Sequence, residues 1–134
     1  MAGLRLEVVT PERTVLQTEA ESVIVPGAEG RLGFLQGHAP IVAGLKIGIV
    51  EYGKVHGEKE RVAITGGFVE LADDKVSILA DAAELAAEID VARAQAARER
   101  AERRLRQREA EIDRARAEAA LQRALNRLRA AGAL

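Results

Sequence analysis

Apolar and polar positions alternate through the first part of the chain. Leu4, Leu6 and Val8 fall on one side of a run whose other side is Arg5, Glu7 and Val9, the pattern of a strand with one buried face. Thr10-Pro11-Glu12 predicts a turn, and residues 14–16 begin the return strand. In residues 21–25, Val23 and Val25 oppose Ser22 and Ile24, and Pro26-Gly27 ends the run. Residues 46–52 and 59–65 read as strands joined at the hairpin tip Gly53-Lys54-Val55-His56-Gly57. Gly66-Gly67 introduces another in Phe68-Val69-Glu70-Leu71, and after an Asp73-Asp74 turn residues 75–80 place Val76, Ile78 and Ala80 on one face. Short strands broken by turn signals predict an antiparallel β-sandwich of roughly eight to ten strands.

The rhythm changes toward the C-terminus. From Glu88 onward there is no Pro and no Gly before Gly132, and the composition is dominated by Ala and Arg, which lose little side-chain freedom in a helix. Small or apolar residues recur at Ile89, Ala92, Ala96 and Leu105, then at Ile112, Ala115, Ala119, Leu121, Ala124, Leu125 and Leu128. Both stripes are narrow, so two helices can pack closely while burying little area each. The polar run Arg106-Gln107-Arg108-Glu109-Ala110-Glu111 predicts the elbow, with Asp113 as N-cap of the second helix. No Gly or Pro enforces that bend, so a folded hairpin and one long rod differ by only about a few kcal/mol. The expected fold class is α+β: an N-terminal antiparallel β-sandwich in residues 1–83, then a C-terminal two-helix antiparallel hairpin in residues 84–134.

Charge follows the same division. Residues 1–83 carry four Lys and four Arg against twelve acids, and residues 84–134 carry twelve Arg, no Lys and nine acids. The formal net charge of −1 conceals a boundary near residue 83. With no cysteine, disulfides and thiolate metal sites are excluded. The opening Met-Ala-Gly-Leu-Arg-Leu-Glu lacks a basic region followed by an apolar run, so no signal peptide is expected. No apolar run approaches the ~20 residues that span a bilayer. A soluble protein is expected, reaching a membrane only through a partner.

Two stretches carry candidate chemistry. Asp90 and Arg93 are three apart, Ala94 beside them leaves the backbone approachable, and Arg123 and Arg127 are four apart. If the segment folds back, an acid, an arginine and a small gap face paired guanidinium groups, a pocket suited to a polyphosphate carrying a base. Spacing alone favours the plainer reading, a solvated face laced with ion pairs. The second stretch is Gly30-Arg31-Leu32-Gly33-Phe34-Leu35-Gln36-Gly37-His38-Ala39-Pro40. Its glycines predict tight turns or close backbone approach, and Pro40 holds Ala39 extended. It is no phosphate-cradling loop, since neither Lys-Ser nor Lys-Thr follows. His38, with only His56 elsewhere, reads as a loop or interface histidine, and no metal site is expected.

The whole chain resembles the epsilon subunit of bacterial F-type ATP synthases. The likeness rests on the Gly37-His38-Ala39-Pro40 element within residues 30–40, on Gly66-Gly67-Phe68-Val69-Glu70 at its distance beyond, on Ala80-Asp81, and on the two-helix tail. The resemblance implies a non-catalytic subunit of the central stalk, bound to the gamma subunit and touching the c-ring at the cytoplasmic face of the bacterial cell membrane. Gly30, Arg31, His38, Ala39 and Pro40 are then partner-interface residues, although relatives often carry an acid where Arg31 stands. The tail would lie folded or extend along gamma toward the alpha and beta subunits, and the extended form would inhibit ATP hydrolysis. The segment Ile89-Asp90-Val91-Ala92-Arg93-Ala94 is similar to the ATP-binding motif of Bacillus-type members. That likeness implies regulatory ATP held by Glu84, Ile89, Asp90, Arg93, Ala94, Arg100, Arg123 and Arg127, with magnesium left open.

Other functions fit less well. No Ser-His-Asp, Cys-His or paired-carboxylate constellation supports catalysis. A nucleic-acid module would use the tail arginines, but nine interspersed acids neutralise most of their field. One Tyr, two Phe and no Trp argue against base-stacking or carbohydrate-binding surfaces. The nearest alternative keeps the rotor role but makes the nucleotide site vestigial.

Overall fold

The computed structural model describes residues 3–107 and 111–134, the latter range without the side chains of its first two residues. The chain divides into two compact units, Met1–Leu85 and Ala86–Leu134. No described helix is long and apolar enough to cross a membrane.

The first unit is built of β1 (Leu4–Val9), β2 (Thr14–Ala20), β3 (Ser22–Gly27), β4 (Gly30–Leu35), β5 (Ile41–Gly53), β6 (Lys59–Ala72), β7 (Lys75–Ala80) and β8 (Ala83–Leu85). Hydrogen bonding runs β2-β1-β7-β6-β5-β3-β4, with β8 added to β6. The long β5–β6 hairpin belongs to both layers of the sandwich. The later half of β6 pairs with β7, from Gly67 opposite Ala80 to Ala72 opposite Lys75, whereas its earlier half pairs with β8 at Val62, Ala63 and Ile64. On β5, residues 51–53 pair with β3. β1 also lies against β3, and β2 against β5 and β8, without sharing a ladder. Between these layers Leu4, Leu6, Val8, Val23, Val25, Phe34, Val50, Ile64, Val69, Leu71, Val76 and Ile78 form the core.

The alternation of β1 and β7 is obeyed, whereas β3 buries Ser22 as well as Val23 and Val25, and the structure departs further from the sequence reading at the glycines. Residues 30–35 form a strand, not only turns, because β3 supplies a partner from Ser22–Leu35 to Gly27–Gly30. β5 begins at Ile41, well before residue 46, and β6 passes unbroken through Gly66 and Gly67. Ladder bonds to neighbouring strands outweigh the weak strand preference of glycine here. Gly66 and Gly67 adopt φ of 120° and 130°, and a Cβ on Gly67 would overlap the Leu79 carbonyl oxygen. Only glycine lets the ladder continue at that approach. The sandwich is also not wholly antiparallel, for β1 runs parallel to β7 from Arg5–Lys75 to Val9–Leu79.

The second unit begins with a 3-10 turn (Ala86–Glu88), followed by α1 (Val91–Arg106) and α2 (Glu111–Ala130). Asp90 is the N-cap of α1: its Oδ1 accepts from the Arg93 backbone N–H at 3.1 Å, satisfying a donor with no partner inside the helix. Of the predicted elbow, Arg106 closes α1 and Gln107 caps it, while residues 108–110 lie outside the described residues. Asp113 is not a cap but part of α2, which begins earlier, at Glu111. Ile112, named in the apolar stripe, has no described side chain. Arg114 Nη1 reaches back to the Leu105 carbonyl at 3.2 Å, covering an acceptor at the end of α1. The far end of α2 closes on the tail's only glycine. Gly132 has φ of 74°, and Ala133 and Gly132 donate to Leu128 and Arg129 at 2.8 and 3.0 Å, the Schellman arrangement.

The two helices pack on each other. Ala94 and Ala101 are buried on α1, as are Ala117, Ala124, Leu128 and Ala130 on α2. Counting symmetrically from the short connection sets Ala94 level with Ala124 and Ala101 level with Ala117. Over these two levels the seam is made of methyl groups, which lets the axes approach closely, while the larger Leu128 and Asn126 are buried nearer the end of α2.

Candidate functional site

The first unit shows a wall of apolar side chains where alternation should have placed polar ones. Val42, Phe68 and Leu79 are 68%, 62% and 57% exposed. Ladder register puts Val9, Leu79, Phe68 and Gly44 in one row across β1, β7, β6 and β5. The next row on that face is Glu7, Ser77, Glu70 and Val42. An apolar strip bordered by acids on an outer sheet face is the kind of surface that partner, membrane or ligand contacts use. Sequence reasoning missed it, although the signal was present: Phe68-Val69 and Ile78-Leu79 are apolar at both parities, which a strand with one wet face does not need.

The strip continues into a cleft of about 540 Å³ lined by residues 27–32 and 41–44. Gly30, Arg31 and Val42 thus share one concavity, most of whose other walls are Gly and Ala. Arg31 does not point a lone charge into it, because its Nη2 pairs with Glu51 Oε1 at 2.8 Å.

His38, Ala39 and Pro40 lie on the exposed connection from β4 to β5. The His38 N–H donates to Leu35 at 3.2 Å, and the ring meets Phe34 edge to face with centroids 5.3 Å apart. Nδ1 lies 2.6 Å from the Ala39 carbonyl oxygen. A carbonyl only accepts, so Nδ1 is the donor in this contact. At the start of this loop the Gly37 N–H donates to Asp74 Oδ1 at 2.7 Å.

The predicted nucleotide set is divided between the units. Glu84 belongs to β8, opposite Ala63, and the other seven residues lie in the helical unit. Ile89 and Ala94 are buried, whereas Arg93, Arg100 and Arg123 are exposed and Arg127 is half-buried. Arg93 and Arg100 each precede a buried alanine of α1, and Arg123 and Arg127 each precede a buried residue of α2. In two antiparallel right-handed helices, positions one before the seam fall on the same flank. Arg93, Arg123 and Arg127 therefore gather near the open end of the hairpin, and Arg100 stands about two turns, or roughly 10 Å, along α1. The Asp90 carboxylate is already used as a helix cap. Among the described residues, no three His, Asp or Glu side chains gather as metal ligands.

Known proteins match this chain along nearly all of its length. The family profile described as ATP synthase, Delta/Epsilon chain, beta-sandwich domain covers residues 3–86, and that of the long alpha-helix domain covers residues 87–132. A protein named ATP synthase epsilon chain from Symbiobacterium thermophilum is 58% identical over 135 residues, spanning 100% of this chain and 96% of that relative. Its namesake from Moorella thermoacetica is 58% identical over 108 residues, 81% of each chain. Among solved structures, a chain of the Euglena gracilis mitochondrial ATP synthase (OSCP/F1/c-ring in rotational state 1) superposes with a TM-score of 0.77 at 29% identity. The match covers 91% of this chain and 77% of that one. A chain of the Tetrahymena thermophila mitochondrial ATP synthase central stalk and c-ring shares the fold, with a TM-score of 0.59 at 13% identity over 96% of each.

Proposed function

This chain belongs to the ATP synthase delta/epsilon chain family, and we propose that it is the non-catalytic epsilon subunit of a bacterial F-type central stalk, at the cytoplasmic face of the membrane. The observation that carries a binding role is the outward strip of Val42, Phe68 and Leu79 running into the Gly30–Arg31 cleft. An apolar strip of this kind suits a persistent partner such as the gamma subunit. The exposed loop of His38, Ala39 and Pro40 completes that face, and the c-ring is the second partner. The direct test is co-purification of the full chain with gamma. Phe68→Glu should abolish the complex while leaving the far-ultraviolet circular dichroism of the free chain unchanged, and an undiminished complex would reject this face.

The helical unit is the regulator in this reading. Its methyl seam buries little, so an ATP molecule bound only to the folded hairpin can shift the balance against an extended, hydrolysis-inhibiting form that reaches alpha and beta. Arg93, Arg123 and Arg127 offer phosphate contacts on one flank. ATP titrated into the free chain, with and without magnesium, should raise its melting temperature through linkage. A chain shortened before Glu88 should still bind gamma and relieve inhibition of hydrolysis; equal inhibition would remove the tail from the mechanism. One observation favours a vestigial site instead: the motif's acid, Asp90, is accounted for as the α1 cap without any nucleotide. An unchanged melting temperature at millimolar ATP would decide for that reading.

A further inference from the structure

We infer that Asp74 is a positioning residue for partner recognition: from the β6–β7 turn its carboxylate holds the Gly37 amide and so sets the conformation in which His38, Ala39 and Pro40 meet the stalk partner. The inference rests on the reading of that loop as partner surface, and adds a residue that never needs to touch the partner.

The clamp has a fixed base. Asp73 and Asp74 both take left-handed backbone conformations, with φ of 51° and 59°, which short polar side chains tolerate better than most. The Asp74 carbonyl accepts from the Arg5 N–H at 2.9 Å, fastening the turn to β1, itself paired on both sides by β2 and β7. From this base Oδ1 accepts the Gly37 N–H at 2.7 Å, a short, charge-assisted bond between distant parts of the chain. Packing does not do the same work. Gly37 has φ of 84°, and among the described residues nothing lies within 4 Å of a Cβ built on it, so the space on that side of the hinge is open. Beyond Gly37, the His38 ring rests on the buried Phe34 and Nδ1 is committed to Ala39. A shift at Gly37 is thereby passed to the imidazole.

The test compares Asp74→Gly, which keeps the left-handed turn accessible but removes the acceptor, with Asp74→Asn, which keeps both turn and acceptor oxygen. The chain has two histidines, His38 and His56, so nuclear magnetic resonance reads the His38 ring with His56 as internal reference. In Asp74→Gly, exchange of the Gly37 amide should quicken and affinity for purified gamma should fall by about tenfold each, the scale of one charge-assisted hydrogen bond. The His38 signals should move while those of His56 stay, and Asp74→Asn, which keeps the acceptor but not its charge, should restore most of each readout. Unchanged Gly37 exchange and His38 signals in Asp74→Gly would overturn the positioning role. His38→Ala, titrated with gamma in parallel, separates the other failure: if it binds like the parent, the loop is not partner surface and the underlying reading falls. If His38→Ala binds weakly but Asp74→Gly does not, only the role of Asp74 is refuted.

Discussion

Asp90 is where the structural and nucleotide readings of the tail make different demands, so its substitution is the most informative. Asp90→Ala removes the oxygen that accepts the Arg93 N–H at 3.1 Å, and loss of an N-cap costs about 1 kcal/mol, within a range of about 0.5–2. Each methyl of the Ala94, Ala101, Ala117 and Ala124 seam contributes only about 0.8 kcal/mol when buried. The cap thus matches one or more of these contacts. Its loss multiplies the opened population of the helical unit by about fivefold, with no nucleotide present. Asp90→Asn keeps the hydrogen bond but loses the favourable charge at the helix N-terminus, worth about 0.3–1 kcal/mol. The expected order of stability is parent, Asp90→Asn, Asp90→Ala. Hydrogen exchange over the first turn of α1, read by mass spectrometry on the nucleotide-free chain, measures it. The reasoning is refuted if Asp90→Ala exchanges like the parent. Arg93 donates to the cap through its backbone, so Arg93→Ala should leave that exchange untouched while lowering ATP affinity by about 1–3 kcal/mol.

Other expectations concern the sheet unit. Phe68→Ala should weaken gamma binding by about 1–3 kcal/mol, since the ring is mostly exposed in the free chain and buries roughly 120 Å² when covered; calorimetric titration checks this. Gly67→Ala should lower sheet stability by more than about 2 kcal/mol in urea unfolding, because φ of 130° and the Leu79 carbonyl both oppose a Cβ there. A midpoint equal to the parent's would mean the strand can slip past that approach. Tyr52 faces Glu60 across the β5–β6 ladder, and burial first, then the Glu60 charge, raise its phenol above the ordinary 10.0. The folded chain then holds the proton more tightly than the unfolded one. Stability should be level below about pH 10 and fall as pH rises through the folded value, a decline that Tyr52→Phe abolishes. Ultraviolet titration of the single tyrosine reads the same shift.

Where alternation was clean, at Leu4-Leu6-Val8, Val23-Val25 and Val76-Ile78-Ala80, the strands and their buried faces were legible directly. The helices were legible from Ala and Arg content, but their boundaries were not. Gln107 and Glu111 bracket a connection that no Gly or Pro announces, and Asp113 offered a cap at the wrong place. Glycine misled most. Gly30, Gly33, Gly66 and Gly67 read as breaks, yet they are strand residues, and Gly67 in particular is kept in place by Leu45 and Ala80, partners that a local window does not contain. The exposed apolar strip failed to register for the opposite reason. Val42, Phe68 and Leu79 look like ordinary core residues until register assigns them to the wet face. Asp90 was noticed for its spacing to Arg93, which is real, but the bond joining them runs to the backbone.

The parallel pairing of β1 with β7 constrains how a ribosome can deliver this protein. Arg5 waits for Lys75, so the earliest-made segment cannot complete its ladder until nearly the entire sandwich has left the exit tunnel, and an incomplete nascent chain presents an open edge meanwhile. The helices that follow join near neighbours and close quickly once synthesised. The sheet unit therefore emerges whole ahead of the helical one. Because every strand finds its ladder partners within residues 4–85, the sheet can close whatever follows it.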